Sequence, residues 1–101
     1  REVAMSDSLA FDFYEDSFGS RYIARLSGHE AELRISRRGR SVWSLDHASI
    51  PRAIGGQWIG TALVAHAVHE ARRSQRKLIP LCSFVRSQFN RHPEWRDVLS
   101  A

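Results

Sequence analysis

Apolar and polar residues alternate one by one through the first half of the chain and then change to a helical period. In Arg21–Leu26, Tyr22, Ala24 and Leu26 alternate with Arg21, Ile23 and Arg25. In Glu30–Arg37, Ala31, Leu33 and Ile35 alternate with Glu32, Arg34 and Ser36. A period of two predicts half-buried strands, because successive side chains leave a strand on opposite faces. Gly28 and Gly39 fall in short polar connections, which predicts antiparallel hairpins. Val42–His47 reads as a third strand, with Trp43, Leu45 and His47 expected on one face. Leu9–Glu15, carrying Phe11, Phe13 and Tyr14, reads as a further strand or a short helix. From Ile59 to Ser74, Ile59, Leu63, Val64, Ala67, Val68 and Ala71 share one half of a helical wheel. His66, His69, Arg72 and Arg73 fall on the other half, so an amphipathic helix packed on the sheet is predicted.

A short apolar strand, Lys77–Cys82, follows, and then a helix over Phe84–Arg91. His92-Pro93 stops that helix, because the residue before a proline is pushed out of helical geometry. Glu94–Leu99 is expected to add a last helical turn or two. Antiparallel strands followed by strand–helix–strand predict an α/β (α+β) domain ending in a parallel crossover, expected to be right-handed.

Length and composition narrow this without choosing a function. With 101 residues the chain suits one domain and one core. Its hydrophobic share of 43% and charged share of 26% are those of a folded protein and not of a disordered tail. No apolar run approaches the ~20 residues that cross a bilayer, and Arg1–Ser8 lacks the apolar centre of a secretory signal. Residues 1–8 are expected to be a tail or an expression remnant, with Met5 as the natural start and 9–101 as the domain. Cys82 is the single cysteine, so no internal disulfide is possible and a cytoplasmic setting is expected. The formal charge of +4 rests almost wholly on arginine, and it favours a polyanionic partner without naming one. No groove-entering helix or stacking motif supports nucleic acid.

Three of the six glycines lie within Gly55–Gly60, in the segment Pro51-Arg52-Ala53-Ile54-Gly55-Gly56-Gln57-Trp58-Ile59-Gly60-Thr61. A glycine-rich turn feeding a helix offers free N–H groups and the positive end of the helix dipole to a phosphate. The same glycines also suit a plain flexible turn.

The surrounding motifs occur in a telling order. They are His47-x-x-Ile50-Pro51, Gly56-x-x-Ile59-Gly60-x-Ala62-Leu63-Val64, Ala71-Arg72, Pro80-Leu81-Cys82-Ser83-Phe84-Val85 and Arg91-His92-Pro93-Glu94-Trp95. In this order they resemble the small single-domain GNAT-type N-acetyltransferases, over about Arg21 to Leu99. The resemblance implies an acetyl-CoA site between splayed strands Val42–Ile50 and Lys77–Cys82. It places the cofactor on Ile50, Gly55, Gly56, Gln57, Trp58, Ile59, Gly60 and Thr61, with the pyrophosphate at 55–60 and no metal. It also implies an amine acceptor, whose identity and the oligomeric state the chain does not disclose. The family pattern Gln/Arg-x-x-Gly-x-Gly/Ala is departed from: in the ungapped register Gly55 stands where Gln or Arg is expected, and Trp58 where glycine is. A second register, Gln57-x-x-Gly60-x-Ala62, fits formally but lies two residues into the helix.

Cys82 is the candidate acetyl acceptor or acid–base group implied by the resemblance, placed at a helix start that would favour a thiolate. Its plainer reading is a small buried hydrophobe. His47 is the candidate base for the amine, with an ordinary pKa of about 6.5; a structural strand-end histidine is the alternative. His66-x-x-His69 lacks a third metal ligand at useful spacing and reads as a polar face. His92 reads as a packing element at a helix end. Arg34, Arg37, Arg38 and Arg40, and then Arg72, Arg73, Arg76 and Lys77, form two basic clusters, read as a solvated hairpin tip and a helix C-terminus. Two functions remain open: an acetyltransferase acting on an amine, and a non-catalytic binding or regulatory relative with a degenerate cofactor loop.

Overall fold

The structure is a computed structural model that describes residues 10–17, 19–55 and 57–100, with Gln57 described by its backbone. Arg1–Ser8 and Gly56 therefore lie outside the described residues. The strands are β1 (Ala10–Asp16), β2 (Gly19–Leu26), β3 (His29–Arg37), β4 (Val42–Ser49) and β5 (Lys77–Pro80). Helix α1 spans Gln57–Arg73 and α2 Ser83–Arg91, with 3-10 turns at Arg52–Ile54 and Pro93–Val98. The sheet order is β1-β2-β3-β4-β5, antiparallel up to β4, with β5 parallel to β4 across α1. The predicted α/β class and its terminal parallel crossover are both present.

The segment left open between strand and helix is strand β1. Phe11 and Phe13 stand opposite Ala24 and Tyr22, so alternation with Asp12 and Tyr14 sends the two phenylalanines to the core side. Ala24, Ala31, Leu33, Ile35 and Leu45 form that side, and Leu63, Val64, Ala67, Val68 and Ala71 of α1 cover it. Leu33, Leu45 and Leu63 are almost wholly buried, each contributing about 1.5–3 kcal/mol of transfer free energy. The opposite face carries ion pairs: Arg25 with Asp12 and Glu30, Arg21 with Asp16, and Arg34 with Glu32.

Two turns show how the chain reverses. Leu26 pairs with His29, and the two residues between, Ser27 and Gly28, have φ of 52° and 77°. Positive φ at both centres is the two-residue turn whose twist suits a hairpin. At the end of α1 the Arg76 N–H bonds the Ala71 carbonyl at 2.8 Å and the Gln75 N–H bonds Arg72 at 3.3 Å. This is a Schellman closure with Gln75, at φ 57°, in the left-handed position usually held by glycine.

Two expectations are corrected. His66 is not on a solvated face: its ring stacks on Phe11 at 4.4 Å and meets Tyr22 edge-on at 5.0 Å. It lies at the border of the apolar stripe, where β1 reaches over the helix. His47 does not share a face with Trp43 and Leu45. Ile35 pairs with Leu45 but the adjacent Arg34 pairs with His47, so Asp46 is an extra residue in β4. A bulge of one residue reverses the alternation beyond it.

Candidate functional site

Strands β4 and β5 pair only from Val42–Lys77 to Leu45–Pro80. Proline brings no N–H to continue the ladder. The N–H groups of Leu81 and Cys82 instead both point to the Leu45 carbonyl, at 3.0 and 3.4 Å. Beyond that point β5 has ended, while β4 continues past the bulged Asp46 through His47–Ser49, which have partners on β3 alone. The two chains part there, and the gap opens at the end of the sheet where Ile50, Pro51 and the start of α1 follow.

The bulge sits at the mouth of this gap and is held by side chains. Asp46 accepts hydrogen bonds from Ser36 and, at 2.5 Å, from the fully buried Ser44, whose hydroxyl also accepts from Arg38 Nε at 2.8 Å. Arg38 lies 3.7 Å from the same carboxylate. On the other side, α1 and α2 meet at their first turns. Gly60 lies so close to the Phe84 ring that a Cβ there would come within 2.5 Å of it. The next residue, Thr61, donates at 2.8 Å to the buried Gln88, one turn beyond Phe84.

A family model for GCN5-related N-acetyl-transferases matches residues 21–98. The chain belongs to the GCN5-related N-acetyl-transferase family. A GCN5-like protein of Staphylococcus aureus, solved in solution by NMR, superposes on it with a TM-score of 0.72 at 22% identity. The match covers 93% of this chain and 90% of that one, and it establishes the shared fold. A comparison with curated proteins returns no match.

Within this GCN5-related fold, the residues expected to bind the cofactor have divided tasks. Ile59 is fully buried in the core, and Ile50 packs against it. Gly60 makes room for Phe84, and the Thr61 hydroxyl is taken by Gln88. The N–H groups of Ile54 and Gly55 close the 3-10 turn on Pro51 and Arg52, at 3.1 Å each. Trp58 stands on the first turn of α1 and is 39% exposed. What these residues can offer an anion is therefore main-chain N–H at the start of α1, where the first turn holds no acidic side chain.

Cys82 is half-buried against the core and caps α2, its carbonyl accepting the Arg86 N–H at 2.9 Å. His47 is exposed on the face shared with Arg34. The Leu45 carbonyl ties the backbone of Cys82 to β4 two residues before His47. His92 stacks on Trp95 at 4.1 Å and pairs with Glu94, as a packing element should. Among the described residues no cluster of His, Cys, Asp and Glu could hold a metal ion. The basic clusters are largely occupied: Arg37 pairs with Glu15, Arg72 with Asp97 and Arg73 with Glu70, and Arg76 covers the Trp43 ring at 3.5 Å.

Asp46 was missed by sequence reasoning. Its signal was a serine and an aspartate two residues apart, flanking Leu45 in a strand, where an unpaired buried carboxylate would be costly.

Proposed function

We propose that this chain transfers an acetyl group from acetyl-CoA to an amine, with its reaction centre in the gap between β4 and β5. The observation that carries this is the parting of the strands at Leu45 and Pro80, flanked by the Asp46 bulge, Cys82 and the start of α1. In this reading the pantetheine lies along the free edge of Asp46–Ser49, and the pyrophosphate faces the N–H groups of Trp58, Ile59 and Gly60. The absence of an acid from the first turn of α1, together with Arg52 just before it, suits a phosphate.

The chemistry asked of the protein is modest. The amine nitrogen attacks the thioester carbonyl, the carbon–sulfur bond breaks, the amine proton passes to a base and the departing thiolate gains a proton. His47 is the base in this scheme and Cys82 acts at the acetyl carbonyl, with positioning supplying most of the acceleration. Acetylated Cys82 found by mass spectrometry after mixing with acetyl-CoA would make it a carrier of the acetyl group; an unmodified thiol would leave it a proton donor.

The first test is thermal melting with acetyl-CoA, since a ligand at about 100 times its Kd adds about 2.7 kcal/mol of stability. No shift at millimolar acetyl-CoA would overturn the proposal. Cys82→Ser and His47→Ala should keep the shift while lowering acetyl transfer about 100-fold or more.

A non-catalytic role is favoured by one set of observations. The indole of Trp58 stands at the loop, Gly60 is filled by Phe84, and two loop N–H groups are already bonded. Under that reading Trp58→Gly restores a melting shift that the native chain lacks.

A further inference from the structure

The two edges of the sheet are finished differently. On β5 the outer edge is covered, because Leu99 bridges to Leu78 and the Ser100 N–H bonds the Leu78 carbonyl at 2.9 Å. Lys77 Nζ and Arg72 hold that cover through Asp97. The other edge, β1, runs seven residues in unbroken register with β2, and among the described residues no strand lies beyond it. Its sequence, Ala10-Phe11-Asp12-Phe13-Tyr14-Glu15-Asp16, has no lysine or proline, two of the devices that blunt an edge. Phe13 and Tyr14, adjacent on it, are 40% and 39% exposed.

The three acids of β1 do not guard it either. Asp12 pairs with Arg25, Glu15 with Arg37 and Asp16 with Arg21, so each negative charge is already met within the same sheet. What remains is an unpaired, nearly neutral edge with two aromatic rings.

We infer that β1 pairs antiparallel with β1 of a second copy of this chain, joining the two sheets across a two-fold axis at Phe13. The register follows from parity and charge. A two-fold axis normal to the sheet keeps each face on its own side, so only residues an even number apart can oppose one another. Centred on Phe13, the opposed pairs are Phe13 with Phe13, Asp12 with Tyr14, Phe11 with Glu15 and Ala10 with Asp16. All seven residues are then paired and no carboxylate faces another. Centring on Phe11 pairs only Ala10–Asp12 of the strand, centring on Asp12 opposes two aspartates, centring on Tyr14 opposes Asp12 to Asp16, and centring on Glu15 opposes two glutamates; like charges directly opposite destabilise a sheet. In the Phe13 register each Tyr14 ring lies beside an Asp12 of the second copy, where the phenol can donate to the carboxylate.

Sedimentation of the full chain should show its mass double as concentration rises toward about 1 mM, a weak association in free-energy terms. Phe13→Lys, which opposes two ammonium groups at the axis, should stay monomeric over that range. Because Phe13 also packs on Tyr22 and Trp43, a second set of variants is read covalently. In a Cys82→Ser background, Phe13→Cys should form a disulfide-linked dimer on mild oxidation, whereas Tyr14→Cys, displaced from its own copy, should not. A native chain that stays monomeric at about 1 mM would overturn the inference. So would a dimer that survives Phe13→Lys, or Tyr14→Cys linking as readily as Phe13→Cys.

Discussion

Gly60 shows how a single position can answer to a neighbour that sequence does not show. A helix interior ordinarily gains about 0.5–1 kcal/mol when glycine becomes alanine. Here the new Cβ would stand 2.5 Å from Phe84 Cζ, and overpacking of this kind costs about 1–3 kcal/mol. Gly60→Ala should therefore lower the melting temperature, and adding Phe84→Leu should restore most of the loss. If Gly60→Ala alone is stabilising, the contact between α1 and α2 is looser than described. Gln75 presents the opposite case: its φ of 57° strains a side chain, and that side chain is exposed. Gln75→Gly should raise stability by about 0.5–1 kcal/mol, read as a higher denaturant midpoint at unchanged slope.

At the scale of elements, the bulge in β4 turns one strand into two stretches with different duties. Val42–Leu45 holds β5, and His47–Ser49 borders the gap with its alternation reversed. The extra residue is kept in place by Ser36, Ser44 and Arg38 around Asp46. Asp46→Ala would leave the buried Ser44 hydroxyl only the Ser36 carbonyl, at 3.5 Å, as acceptor, at a cost of about 1 kcal/mol or more. The melting temperature should fall accordingly, and amide exchange should quicken at Asp46–Ala48 more than in β2. Unchanged protection there would show that the backbone holds the bulge unaided. The element bounds themselves were largely legible from period and punctuation. The bulge was not, because alternation read along one strand assumes a one-to-one register with its neighbour.

For the whole molecule, the buried and paired titratable groups set a pH range of stability. Burial against Phe11 and Tyr22 holds His66 below its ordinary value of 6.5, with Glu70 pulling the other way and His69 adding to the shift. The unfolded chain then binds the proton more readily, so this contribution is full above about 6.5 and is lost as pH falls toward the folded value. Glu70, Glu94 and Asp97 lie below the usual carboxylate range, chiefly through hydrogen bonds from Arg73, His92 and Arg72, and their contributions fade at still lower pH. Tyr22 is raised by burial, so its contribution is present below 10 and is lost as pH rises beyond that. Melting temperature should thus be highest between neutral and mildly alkaline pH. His66→Phe, which keeps a ring against Phe11, should flatten the decline just below pH 6.5; an unaltered profile would assign that decline to other groups.

The sequence by itself determined the class of fold and the order of its elements, because alternation, helical period and proline stops are local consequences of burial and backbone geometry; the family it suggested only through the resemblance of its motifs. It also brought Cys82 and the Pro51–Gly60 loop forward as the places to look for chemistry. Tertiary structure alone decided which face His47 occupies, why Gly60 must be glycine, that His66 is a stacking residue, and that the bulge is anchored by Asp46. Each of these depends on a partner distant in the chain: Arg34 across a shifted register, Phe84 on another helix, Phe11 on another strand, Ser36 on β3. Local pattern shows that a residue will be buried or turned, but only packing shows against what.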